Sequence, residues 1–135
     1  MAAVHGRNTY ISVDTTDISA YCDNSELSQD TDTDETSAYG DDNKTYIAGL
    51  IDSTFSCEGK YDNGASGPKA IIEAVIDGQV AVALVRRPEG TGSGLPEENF
   101  SAICESYVET NPVGGKITWS SDWQVTGPIT RSTQA

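Results

Sequence analysis

From residue 24 to residue 34 the even positions read Asn24, Glu26, Ser28, Asp30, Asp32 and Asp34. Side chains alternate between the two faces of a β-strand, so in an extended chain these polar and acidic groups line one surface. The same parity recurs over 51–61, where Asp52, Glu58 and Lys60 take the even face and Ile51, Phe55 and Tyr61 the odd one. Further on, Ile117, Trp119, Trp123 and Val125 alternate with Thr118, Ser120, Asp122, Gln124 and Thr126. Period-two patterning over so many residues calls for a sheet with one packed face and one wet face.

The rest of the chain divides around these runs. A short strand is predicted at 9–13, a turn at 14–17 and a second strand at 18–22. A long polar strand follows at 23–36, then a long loop at 37–49 and a strand at 50–61. Pro68 and Gly78 bracket a helix over 68–77, whose stripe is Ile71, Ile72, Val75 and Ile76. An apolar strand at 79–87 precedes a flexible loop at 88–96. Strands at 100–110 and 116–127 form a hairpin about 111–115, and the polar tail 128–135 is expected to fray. The fold class is therefore mainly β: a β-sandwich or open barrel of seven or eight antiparallel strands with one flanking α-helix. All of 1–135 is expected to form a single domain.

Period two also assigns the charges. The polar face of the four long strands would carry Glu26, Asp30, Asp32, Asp34, Asp52, Glu58, Glu105, Glu109 and Asp122, with Lys60 as its base. A solvated face normally mixes signs, because like charges on adjacent strands repel. One-signed charge at this density points to a functional surface. The chain as a whole carries −13, from 21 acids and 8 bases. That argues against nucleic-acid binding through phosphates and against anionic membranes. No apolar run approaches the roughly 20 residues of a membrane-spanning helix. The opening residues lack the apolar core of a secretory signal.

Catalytic chemistry finds no support. The one histidine, His5, precedes the first predicted strand, and no Ser-His-Asp or Cys-His arrangement is evident. Asp30-Thr-Asp-Thr-Asp-Glu begins like a calcium loop, but Glu35 stands where the sharp turn needs Gly, and Asp41 where Glu is needed. Neither a metal nor a cofactor is expected. The glycines of 88–96 lack the strand–loop–helix order of a phosphate cradle. Cys22, Cys57 and Cys104 have no metal-ligand spacing and are expected as buried thiols made in a reducing cytoplasm, an intersheet disulfide being the other reading.

Several ordered segments resemble the major tail tube proteins of long-tailed, siphovirus-like bacteriophages. These are HGRNTYISV at 5–13, TDISAY at 16–21, TSAYGDDNKTYIAGL at 36–50, FSCEGKYD at 55–62, RPEG at 87–90 and WQVTG at 123–127. The resemblance implies a structural virion protein whose subunits close into hexameric rings that stack as a helical filament, the tail tube. Two hairpins per subunit, 23–36 with 50–61 and 100–110 with 116–127, would join around the ring as an inner barrel. The acidic face would then line the lumen and repel genome DNA during ejection. The loop 37–49 would reach the neighbouring ring, with Tyr39, Asp41, Asp42, Lys44 and Tyr46 as stacking candidates. Implied partners are other copies of the chain, a tape measure protein, and tail terminator and tail tip proteins. DNA would pass without specific binding and no membrane is involved. The protein would be assembled in the host cytoplasm and reside in the virion. Two further readings stay open on the residues: another virion structural β-domain, such as a tail terminator or capsid decoration protein, and a Ca²⁺-dependent binding module.

Overall fold

The computed structural model describes residues 4–135. Seven strands form one antiparallel sheet in the order β2-β1-β5-β6-β7-β4-β3. They are β1 (Tyr10–Val13), β2 (Thr16–Asp17), β3 (Cys22–Glu35), β4 (Tyr46–Lys60), β5 (Val82–Arg87), β6 (Pro96–Thr110) and β7 (Thr118–Thr133). One α-helix, α1 (Pro68–Gly78), lies between β4 and β5 in the chain. The expected fold class is present, as a single sheet that curls into an open barrel. Its curl shows in the core, where Ile11 and Val13 of β1 share one cluster with Phe55, Trp119 and Trp123 of β4 and β7. Phe55 and Phe100, two strands apart, meet with ring centroids 5.6 Å apart.

Parity decides which side chains enter that core. On β4 the odd residues Ser53, Phe55, Cys57 and Gly59 are buried and their even neighbours are exposed or half-buried. On β7 the buried set is Trp119, Ser121, Trp123 and Val125. Each fully buried large side chain contributes roughly 1.5–3 kcal/mol. The indoles also satisfy their N–H groups: Trp119 Nε1 donates to the Tyr21 carbonyl at 3.2 Å and Trp123 Nε1 to Ser121 Oγ at 2.9 Å. Ile72 and Val75 of α1 cap the cluster, with Ile71 and Ile76 partly buried beside them. Pro68 occupies the start of the helix as expected. The left-handed residue that ends it is Gln79, φ 54°, one position beyond Gly78.

Three expected segments come out differently. Residues 18–21 are not a strand, and Cys22 already opens β3. Asp14 and Thr15 close a two-residue hairpin between β1 and β2 with φ of 49° and 69°. Asp17 Oδ1 then accepts Ser19 N at 2.9 Å, and residues Ser19–Tyr21 turn as a 3-10 helix. The long loop is shorter than 37–49, because β4 already begins at Tyr46 and pairs with Glu35. Nor does the tail fray: Thr130 to Thr133 pair with Asn99 to Pro96. Pro128 is tolerated there because a register shift sets 127–129 opposite Phe100 alone, so no ladder hydrogen bond is asked of it. Gln134 fastens the end, its Nε2 donating to Gly90 O at 2.8 Å and its Oε1 accepting Gly92 N at 3.0 Å. The three cysteines are free thiols, Cys57 buried and the others half-buried.

Gly59 is the tightest backbone approach in the barrel. A Cβ there would stand 1.8 Å from the Tyr21 carbonyl oxygen, where β3 is irregular between Cys22 and Asn24. Gly59→Ala should lower unfolding free energy by about 1–3 kcal/mol or more, as overpacking does. Gly114→Ala, with open space around it, should stay within about 0.5 kcal/mol. Urea denaturation of the two variants checks both.

Candidate functional site

The polar face spans β6, β7, β4 and β3. Register places Asn24, Glu26, Ser28 and Asp30 of β3 opposite Glu58, Ser56, Thr54 and Asp52 of β4. Glu58, Ser56 and Thr54 in turn stand opposite Ser120, Asp122 and Gln124 of β7, and Lys60 opposite Thr118. Residues opposite one another share a face. The structure therefore brings Glu26, Asp30, Asp52, Glu58 and Asp122 together, with Lys60 at one end. Glu26, Ser28, Ser56, Glu105, Ser106 and Asp122 line a depression of about 570 Å³ in this surface.

The donors on this face are neutral. Asn24 Nδ2 donates to Glu58 Oε1 at 2.9 Å, Gln124 Nε2 to Asp52 Oδ1 at 2.7 Å, and Ser106 Oγ to Asp122 Oδ2 at 3.1 Å. Amides and hydroxyls orient these carboxylates without cancelling their charge. Asp30 stands directly opposite Asp52, a repulsive cross-strand pair. The ion pairs form elsewhere, at Arg86–Glu98, Arg87–Glu97, Lys69–Glu73, Lys69–Glu109 and Lys44–Glu35.

Glu109 does not belong to the polar face. Cys104 pairs with Trp123 but Ser106 with Asp122, so Glu105 is an extra residue in a β-bulge. Before it Phe100 and Ala102 face the core. After it Tyr107 and Glu109 do, opposite Ser121 and Trp119. Tyr107 stacks on Trp119 with centroids 6.2 Å apart and donates its hydroxyl to Glu109 Oε2 at 3.1 Å. Glu109 also takes Lys69 of α1 at 3.2 Å. Ile103 before the bulge and Val108 after it both face the polar side, opposite Gln124 and Ser120; only Val108 is put there by the bulge.

Asp32 and Asp34 lie on the outer half of the β3–β4 hairpin. Thr31 pairs with Ile51 but Thr33 with Ala48, so β4 carries an extra residue here too, and Asp34 stands opposite Ile47. Both faces of this half are exposed, including Ile47, Leu50 (84 %) and Ile51 (66 %). The Asp30–Asp34 run is extended strand, so its carboxylates do not wrap a common centre as a calcium loop would. Beyond it, the loop 36–45 is held by its own hydrogen bonds: Thr36 N to Thr45 O at 2.7 Å, Thr45 N to Ser37 Oγ at 2.8 Å and Ala38 N to Asp41 Oδ2 at 2.6 Å. Asp41 and Lys44 thus have partners within the chain, and Tyr46 belongs to β4. Tyr39 projects fully exposed.

Among the described residues the four-strand polar face has two outer edges without partners, and the outer edge of β2, away from this face, is free as well. β3 pairs with β4 alone, leaving its other edge free. β5 covers β6 only from Glu98 to Ala102, so the β6 edge at 103–110 is also open. The joining of hairpins that the resemblance implies calls for such edges, but the residues alone did not mark them, nor the exposed apolar residues beside them. The run Tyr-Ile-Ala-Gly-Leu-Ile at 46–51 was the available signal for the latter.

No protein family and no curated protein matches the chain by sequence. Solved structures do match its fold. A chain from the virion of a native gene transfer agent particle superposes with TM-score 0.82 at 10 % identity, over 97 % of this chain and 100 % of that one. A chain of the tail of an empty gene transfer agent particle, with C6 symmetry, gives 0.80 at 13 % identity over 98 % and 100 %. The SPP1 tail tube gives 0.79 at 11 % identity over 98 % and 80 %. The fold is that of tail tube proteins.

Burial of Cys104 on the core side just before the bulge pushes its thiol from the ordinary 9.0 to about 11. Burial and the Glu109 carboxylate also push the Tyr107 phenol up. Groups that hold their protons longer when folded stabilise fully below the unfolded pKa, and that stability is lost as pH rises through the folded value. The melting temperature should therefore fall between about pH 9 and 11, and Cys104→Ala should fall less steeply; equal slopes would refute this origin.

Proposed function

We propose that this chain is the tube subunit of a phage-type tail, closing with other copies into hexameric rings that stack into a channel for DNA. The observation that carries this reading is the pair of open edges, β3 and residues 103–110 of β6, at the two ends of the same four-strand polar face. β6, β7, β4 and β3 alternate in direction. The β3 edge of one copy therefore meets the β6 edge of the next antiparallel, extending the sheet without a break. Neither edge carries proline or lysine, residues that natural proteins use to block such pairing. Ring closure removes both of these edges at once, as barrels do. The C6 symmetry of a fold neighbour's tail supports six copies.

Joined in this way, the polar faces form one continuous inner wall. Glu26, Asp30, Asp32, Asp34, Asp52, Glu58, Glu105 and Asp122 line it, with Lys60. Basic side chains there would bind phosphates and retard a passing duplex. Carboxylates held by neutral donors repel it over about 8 Å at physiological salt. The role is structural and non-enzymatic, within a virion tail assembled in the host cytoplasm. A tape measure protein would fill the channel before DNA does, and terminator and tip proteins would cap it. At the loop, Asp41 and Lys44 brace the turn, leaving Tyr39 and Asp42 to meet the next ring.

Electron microscopy of the purified protein tests the reading: stacked-ring filaments are expected, and isolated rings, trimers or monomers would refute it. Crowded carboxylates should make polymerisation easier with added salt or Mg²⁺. A critical concentration indifferent to both would remove that electrostatic account. In preassembled tubes, Glu26→Lys, Asp30→Lys and Asp122→Lys together should preserve the far-UV circular dichroism spectrum but retain duplex DNA in a salt-sensitive manner. Absence of DNA retention would place this face outside the channel.

A further inference from the structure

A second concave site lies on the other side of β3. Arg7, Thr9, Asp23, Asn24, Arg86 and Pro88 line a notch of about 430 Å³ where β1 and β5 approach the start of β3. That volume is within the range of ligand pockets, about 300–1,000 Å³. Its polar groups are incompletely used. Arg86 donates through Nη1 to Glu98, but its Nε is buried with no acceptor among the described residues. Arg7 makes no ion pair among the described residues. On a chain of net charge −13, two guanidinium groups beside a proline make a seat for an aromatic ring accompanied by a carboxylate.

The chain itself carries such a group, in an ordered form. Tyr39 is fully exposed at the tip of the loop 36–45, which its own hydrogen bonds hold in shape. Asp42 is exposed three residues on, and Gly40 turns the tip with φ 91°. An exposed aromatic on a pre-ordered loop is the usual form of an interface anchor, since little conformational freedom is lost on docking. The loop cannot reach the notch of its own chain. Asn24, at the notch, and Glu35, at the loop, are opposite ends of one extended strand. Eleven residues at about 3.4 Å each hold them roughly 35 Å apart.

We infer that Tyr39 and Asp42 of one copy dock into the Arg7–Arg86 notch of a second copy displaced along the hairpin by about that strand length. The phenol ring lies against the guanidinium groups and Pro88, its hydroxyl donates to Asp23, and Asp42 pairs with Arg7. The inference rests on the tube reading and gives it a ring-to-ring contact separate from the edge pairing that closes each ring.

Charge reversal tests it. Arg7→Glu sets a carboxylate opposite Asp42, and Asp42→Arg sets a guanidinium opposite Arg7, the base of the notch that has no ion-pair partner among the described residues. Each should raise the critical concentration for filaments by about tenfold or more, the scale of an interface hot spot, while sedimentation still detects single rings. The combined variant Arg7→Glu, Asp42→Arg should restore filaments, and Tyr39→Ala should not form them at wild-type concentration. If wild-type protein polymerises and both single reversals match it, the notch is not the receiver. Loss in both single variants without rescue in the combination overturns the pairing as well. A wild type that stays monomeric overturns this contact and the tube reading together.

Discussion

Burial of Trp119, Trp123 and Phe55 on one side of a long antiparallel ladder is the constraint from which the rest follows. With these rings inside, strand geometry leaves Asp122, Gln124 and Thr54 no position except the opposite face. A one-residue slip would bury the acids and expose the indoles, so the core itself fixes which way the carboxylates point. The indole N–H bond of Trp119 to Tyr21 O sharpens that choice by tying β7 to the turn before β3, while Trp123 is satisfied within its own strand by Ser121 Oγ.

The polar face is unusual in what it omits. Elsewhere the chain pairs acids with bases, at Arg86–Glu98, Arg87–Glu97 and Lys69–Glu109. On the polar face Asn24, Gln124 and Ser106 take the place of bases. A neutral donor fixes a carboxylate's orientation and leaves its field intact. Asp30 opposite Asp52 is tolerated although such pairs destabilise a sheet. Retained repulsion of this kind, beside a core that needs none of it, is intelligible if the field acts on something outside the monomer.

Much of this was legible from period two. The helix, the tryptophan core and the even faces of β4 and β7 follow from spacing alone. What period two cannot see is an inserted residue. Glu105 bulges, and the parity of β6 reverses after it, which removes Glu109 from the polar face and puts Val108 on it. The extra residue in β4 between Ile51 and Ala48 does the same to Ile47. Neither bulge has a local signal as strong as the alternation it interrupts. Pro128 misled in the opposite sense: it reads as a strand end, yet a register shift accommodates it and β7 continues to Thr133. Asp17 turned an expected strand into a 3-10 helix through one side-chain bond to Ser19 N. In each case a single tertiary or side-chain interaction overrode an otherwise regular pattern.

The Glu105 bulge also bears on how an open edge stays specific. Upstream of it β6 pairs with β5; downstream it does not. At that junction the strand exposes Ile103 and Val108 on the polar face and turns Tyr107 and Glu109 back towards Trp119 and Lys69. A bulge increases local twist and bends the strand away from its neighbours. The open segment 103–110 is therefore anchored on one face by an aromatic stack and an ion pair, and it is not a flat ribbon. Flat, featureless edges accept any strand in any register; a bent and anchored one accepts few. The feature that concealed Glu109 from the sequence pattern is thus the one that limits which strands this unpaired edge can accept.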